Sequence, residues 1–195
     1  MIDRLVGRTE WPSCAVLCSF AERFSFAGWS RQRLLALALA AGFGLLAGWR
    51  FGWDFTALTT ALYAWILLAF AIIDLEQRLV PDRLLLVALP VVLVLNLLVQ
   101  HPAILSSLVG GLAGLAIFSL IHTIRPDGMG RGDVKLAGLI GLMVGFPDVV
   151  FALLLGMIAG GLAALILIYQ GQDRQQTMAY APFLAIGAGI VMYWV

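Results

Sequence analysis

The sequence predicts an all-α fold: a polytopic integral membrane helix bundle of about seven transmembrane helices, with a cytoplasmic N-terminus. Three observations predict it. The 195-residue chain is 62% hydrophobic and only 12% charged, with a mean hydropathy of +1.00, whereas a soluble domain carries about a quarter charged residues. So much apolar surface cannot be hidden in a water-soluble globule of this size. The apolar residues fall in Leu- and Ala-rich runs of roughly 16–24 residues without the alternation of barrel strands. In lipid every backbone polar group must be bonded internally, which makes those runs helices. The third observation is the one-sided placement of Lys and Arg.

Residues 1–33 read as a cytoplasmic or interfacial N-terminal tail, and residues 34–195 as the membrane-embedded domain. The tail mixes Arg4, Arg8, Glu10, Glu22 and Arg23 with apolar residues and shows no clean apolar core with a small-residue cleavage site, so no signal peptide is read there. Val16, Phe20 and Phe24 recur every four residues between Trp11 and Trp29. That spacing fits an amphipathic helix lying in the interface, and a poorly ordered tail fits equally. Cys14 and Cys18 share one helical face but lack the further thiolates or imidazoles of a zinc site; His101 and His122 are far along the chain. No metal and no cofactor are expected. A net charge of +1 argues against a nucleic-acid partner.

The spans follow in order. The first runs from about Leu34 to Gly48, the second from Phe55 to Ile73, the third from Leu84 to Val99 and the fourth from Ala103 to Ile121. The fifth, Val134 to Phe146, is short enough to be tilted, partly re-entrant or extended into the preceding loop. The sixth covers Val149 to Tyr169 and the last Ala179 to Val195. With the tail cytoplasmic, every Lys and Arg of the twelve except Arg50 falls on the cytoplasmic side, as the positive-inside rule requires. Glycines at spacings of three and four, among them Gly110, Gly114, Gly138, Gly141, Gly156 and Gly160, predict close helix packing.

Two aspartates stand out against this background. Asp74 closes the second span in Ile72-Ile73-Asp74-Leu75, and Asp133 opens the fifth after Gly130-Arg131-Gly132. Carboxylates at the edge of a bilayer are costly and are functional candidates by default. The predicted topology brings both to the same depth on the cytoplasmic face. Two carboxylates that share a site cannot both ionise easily, so one keeps a proton. The ionised one can take a proton from water while the other polarises a scissile carbonyl. That is aspartyl protease chemistry, needing neither a covalent intermediate nor a metal. Asp74, near a helix C-terminus, is expected to be the protonated acid, and Asp133, near an N-terminus, the base, with Arg131 and Lys135 reinforcing the bias if they face the site. Pro81 should break the helix near Val80, and Asp82 after it should cap or position the next helix. Gly128, Gly130 and Gly132 allow another chain, such as an extended peptide, to approach closely.

These residues resemble the type IV prepilin peptidases, the bacterial branch of the GxGD membrane aspartyl proteases. Asp74 through Leu79-Val80-Pro81-Asp82 matches the family's D-x6-P-D segment. Gly130-Arg131-Gly132-Asp133-Val134-Lys135-Leu136 matches its G-x-G-D-x-K-L segment, and Ala181-Pro182-Phe183-Leu184-Ala185-Ile186-Gly187 its closing G-P-F-L-A-L-G. The resemblance implies that Asp74 and Asp133 are the catalytic pair, and that Gly130, Gly132, Lys135, Pro81 and Asp82 bind substrate or shape the loops. It implies cleavage of short basic leaders from prepilins or pseudopilins, usually after glycine, at the cytoplasmic face of the bacterial inner membrane, in pilus biogenesis or type II-like secretion. Many members carry two C-x-x-C pairs that bind zinc and also methylate the new N-terminus with S-adenosylmethionine. Cys14-x-x-x-Cys18 does not match that segment, so peptidase activity without the zinc site is expected, and methyl transfer is not carried over. Three other readings stand beside it: a proton-coupled transporter, a non-catalytic membrane scaffold, and a presenilin-like protease, whose Pro-Ala-Leu element is missing here.

Overall fold

A computed structural model describes residues 42, 49, 54–77, 80–100, 102–124, 129–169 and 180–194. The N-terminal tail with Cys14, Cys18 and its aromatic residues, and the first expected span apart from Gly42, lie outside the described residues. Among the described residues every regular element is a helix. They are α1 (Phe55–Gln77), α2 (Asp82–Val99), α3 (Ile104–Ile124), α4 (Arg131–Val144), α5 (Asp148–Tyr169) and α6 (Ala181–Trp194).

Four of these are long and apolar enough to cross a membrane: Phe55–Gln77, Asp82–Val99, Ile104–Ile124 and Asp148–Ile166. Their outward faces carry Leu86, Val94, Leu105, Leu112, Phe151 and Leu162, all exposed, as a lipid-facing surface should be. α4 is different. Its 14 residues give a rod of about 21 Å, short of the ~30 Å hydrocarbon layer. Asp133, every residue from Leu136 to Gly141, Met143 and Val144 are buried, and α2, α3, α5 and α6 all pack on it. The fifth expected span is thus a short interior helix, and protein takes the place of lipid around it.

Two boundaries differ from the sequence reading in ways that matter. α1 continues to Gln77, so Asp74 lies inside its last turn rather than at its end. α4 begins at Arg131 with Gly130 as N-cap, so the glycine-rich segment that reads as loop supplies the first helical turn and Asp133 is its third residue. Burial of the helix overrides the poor helix propensity of Gly132.

Lipid offers no hydrophobic drive for one helix to join another, so close packing and hydrogen bonds must do it. α3 and α4 cross antiparallel with their backbones in contact. A Cβ on Gly141 would overlap the carbonyl oxygen of Gly110, one on Gly110 that of Gly141, and one on Gly114 that of Ala137. α5 and α6 meet in the same way, Gly187 lying against Ala152 and Gly156. At the end of the bundle far from Asp74, polar side chains join four helices. Tyr63 of α1 donates to Asn96 Oδ1 of α2 (2.6 Å), and Asn96 Nδ2 donates to Ser107 Oγ of α3 (2.7 Å) and to the Leu142 carbonyl of α4 (2.8 Å). Ser107 donates to that same carbonyl at 2.7 Å.

The glycine contacts give a paired expectation. Gly141→Ala should lower the thermal unfolding midpoint in detergent, with a loss of about 1–3 kcal/mol as for overpacking of a tight core. Gly161→Ala, where a Cβ meets nothing within 4 Å, should leave the midpoint unchanged. Equal midpoints for the two variants would contradict the backbone contact.

Candidate active site

Asp74 and Asp133 come from different helices and are both buried, 4% and 7% exposed. The Asp74 carboxylate is close enough to act electrostatically on that of Asp133. The structure therefore brings together two carboxylates that lie 59 residues apart by number (133 − 74).

Each carboxylate lies at the start of a helix. Asp74 Oδ2 accepts the backbone N–H of Ala181, the first residue of α6, at 2.9 Å. In α4 the Asp133 N–H donates to the Gly130 carbonyl at 3.1 Å, and the Gly130 backbone lies against the Asp133 carboxylate, whose Oδ2 is 3.4 Å from where a Cβ on Gly130 would stand. Helix N-termini favour negative charge, and here both carboxylates have one. The expectation that helix dipoles separate an acid from a base is not carried by this geometry, because α6 offsets at Asp74 what the end of α1 does.

The flanking residues sort into distinct tasks. Pro81 is the N-cap of α2, in an extended conformation (φ −72°, ψ 120°), and Asp82 follows it in the first turn. Asp82 therefore does not cap the helix. Its Oδ1 accepts Lys135 Nζ at 2.6 Å, tying the start of α2 to the first turns of α4. Lys135 is thus directed to Asp82 and not to the two buried carboxylates. Both ends of the pair are exposed, so it contributes at most ~1 kcal/mol to stability; what it sets is register. Arg131 is exposed.

The two glycines also part company. An ideal Cβ on Gly132 would stand 2.6 Å from Val80 Cβ, so Gly132 is where the segment before Pro81 seats on α4. The close approach that glycine permits there is made by this chain's own Val80. Gly130 is exposed, and a Cβ there would meet nothing nearer than Asp133 Oδ2, at an ordinary 3.4 Å. Of the two glycines, Gly130 is the one left with open space beside it.

The backbone of Ala181 is the participant that sequence reasoning missed. Its only trace was the Ala181–Gly187 motif, because a backbone donor leaves no signature in side-chain chemistry. Gly187, at the end of that motif, lets α6 slide onto α5 and so sets the depth of its N-terminus. Among the described residues no three His, Cys, Asp or Glu side chains converge as a metal-binding group.

Fold and site together define a multi-helix membrane protein built around a buried carboxylate pair. The profile of the Type IV leader peptidase family matches residues 61–165, which include Asp74 and Asp133, and the chain belongs to that family. Curated proteins named prepilin leader peptidase/N-methyltransferase are similar to it. The Pseudomonas putida protein is 33% identical over 156 residues, covering 77% of this chain and 54% of the relative. The Aeromonas hydrophila protein is 30% identical over 166 residues (82% and 53%), and the Pseudomonas aeruginosa protein 30% over 170 residues (82% and 56%). The chain spans about half the length of these relatives. No solved structure matches it.

The seating of Val80 predicts unequal glycines. Gly132→Ala should lower the thermal midpoint, since neither Val80 nor the helix can give way easily, at roughly 1–3 kcal/mol. Gly130→Ala should leave it unchanged. The measurement is thermal unfolding of both variants; equal midpoints would refute the Val80–Gly132 contact.

Proposed function

We propose that this chain is a membrane aspartyl endopeptidase that removes the short basic leader from type IV prepilins or pseudopilins, with Asp74 and Asp133 as the catalytic pair. The observation that carries the reading is the burial of two carboxylates from separate helices within electrostatic reach of one another, in a chain of the leader peptidase family.

The chemistry follows from the pair. With one proton shared between them, the ionised carboxylate removes a proton from a water molecule as it attacks the scissile carbonyl. The protonated partner donates to the carbonyl oxygen. The tetrahedral diol then collapses: the departing amine takes a proton from the pair, and a diol hydroxyl returns one to it as the new carboxyl forms. The pair titrates as a unit. The Ala181 N–H holds the Asp74 carboxylate in place, and Asp133 is held in the first turn of α4 by its own N–H on the Gly130 carbonyl. Gly130, exposed beside Asp133, fits a substrate with glycine at the cleavage point. The names of the relatives include methyl transfer; the proposal extends to the peptidase step alone.

The site lies where α1 and α3 end and α2, α4 and α6 begin. With the positive-inside bias, this supports a cytoplasmic site in a bacterial inner-membrane protein of about seven spans, with the N-terminus inside and the C-terminus outside. A proton-coupled transporter would need its carboxylates near midplane, but Asp74 is three residues from the end of α1.

Purified protein incubated with a prepilin should cleave the leader. Asp74→Asn and Asp133→Asn should each lose activity by at least ~100-fold, the scale of a lost general acid or base, while remaining folded. Asp82→Asn should stay within about threefold of wild type, as removal of an exposed ion pair allows. Full cleavage by either dyad variant would refute the pair, and uncleaved prepilin with wild-type protein would favour the transporter or scaffold reading. For the topology, a C-terminal alkaline phosphatase fusion should be active and a C-terminal fluorescent-protein fusion dark; the reverse pattern would put the C-terminus inside.

A further inference from the structure

His122 lies in the last turn of α3 and belongs to none of the motifs above. Its Nδ1 is 2.9 Å from the carbonyl oxygen of Met129. A carbonyl can only accept, so Nδ1 carries the proton and His122 is the donor. Both the Nδ1–H neutral tautomer and the imidazolium satisfy this bond. The carbonyl it binds is half of the Met129–Gly130 peptide unit, and Gly130 is the residue whose own carbonyl accepts the Asp133 N–H at 3.1 Å and whose backbone lies against the Asp133 carboxylate.

The result is a path from the His122 ring through one peptide to the residue against which Asp133 packs. Hydrogen bonds polarise the groups they join, so a donor on the carbonyl strengthens the N–H as a donor. Gly130 itself has no side chain to hold its peptide plane, and residues on both sides of it are exposed or half-buried. His122 is anchored differently. Its helix is locked to α4 through the backbone contacts at Gly110 and Gly114.

The geometry points to His122 as a positioning residue for Asp133, acting through the Met129–Gly130 peptide. It does not touch substrate or the reacting atoms. It orients the peptide that leads into the N-cap against which the carboxylate packs, and so fixes where that carboxylate can receive the water proton. The inference rests on the proposed role of Asp133, but its physical core, the relay, can be read without turnover.

The sequence provides an unusually clean probe. Among its six methionines only Met129 is followed by glycine, so protein labelled with carbonyl-13C methionine and 15N glycine gives a single cross-peak, from the Met129–Gly130 peptide. The test uses the full chain in detergent micelles, with His122→Asn, His122→Gln and His122→Leu. Asn places an amide N–H near the position of Nδ1, whereas Gln reaches the position of Nε2. The cross-peak of His122→Asn should stay near that of wild type, and those of His122→Gln and His122→Leu should move upfield in both the carbonyl and the amide proton. In leader cleavage, kcat should fall roughly tenfold in Gln and Leu, about the loss of one hydrogen bond, with KM unchanged and with recovery in Asn.

An unmoved cross-peak in folded His122→Leu, or wild-type kcat in that variant, would overturn the inference. If the Leu variant does not fold, ring 15N shifts of the wild-type histidine decide the matter, since a neutral ring protonated at Nε2 would also overturn it. Wild-type protein that shows the relay but cleaves no prepilin would refute the proposed function and leave the His122 hydrogen bond standing as a structural feature.

Discussion

A carboxylate removed from water must be given donors, and two such groups within electrostatic reach of one another need them more than one does. Every other feature of this bundle follows from meeting that demand without spending charged side chains on it. Helix starts meet it. Ala181, the first residue of α6, offers its N–H to Asp74, and Asp133 lies in the first turn of α4 against the Gly130 backbone. A fixed dipole of this kind is already in place before any charge moves, which is what preorganised stabilisation requires. It also leaves Lys135 free to tie α4 to α2 through Asp82 in place of neutralising the pair.

Placing two helix starts at one point in a membrane is a packing problem, and glycine solves it. Contacts at Gly110, Gly114 and Gly141 let α3 and α4 touch along their backbones, and Gly187 does the same for α6 on α5. Backbone contact leaves little freedom to slide, so the depth of each N-terminus is set by where those glycines fall. The Tyr63–Asn96–Ser107 cluster, with the Leu142 carbonyl, fastens α1, α2, α3 and α4 at the opposite end. α4 is held at both ends, and Asp133 sits in its first turn.

Both segments around the aspartates serve construction. Val80 seats on Gly132, Pro81 starts α2, and Asp82 reaches Lys135, so the D-x6-P-D and G-x-G-D segments meet at these two places. Gly130 is left open beside the carboxylates, where an extended peptide could lie. One glycine of the pair therefore serves the protein's own packing and the other faces outward, a division that spacing alone does not reveal.

Much of this was legible in the chain itself. Composition determined an apolar helical protein, because polar backbone in lipid has few ways to be satisfied. The motifs determined the family, and isolated carboxylates beside long apolar runs marked Asp74 and Asp133. Helix positions were read to within a few residues at most ends. What only the tertiary structure decided concerns groups whose partners are distant in sequence or carry no side chain. That α4 is an interior helix, that Val80 fills the space at Gly132, and that Lys135 turns to Asp82 depend on which helices are neighbours. The Ala181 amide and the Met129 carbonyl act through backbone atoms, identical at nearly every position of the chain; only their place in space makes one a donor to Asp74 and the other an acceptor from His122.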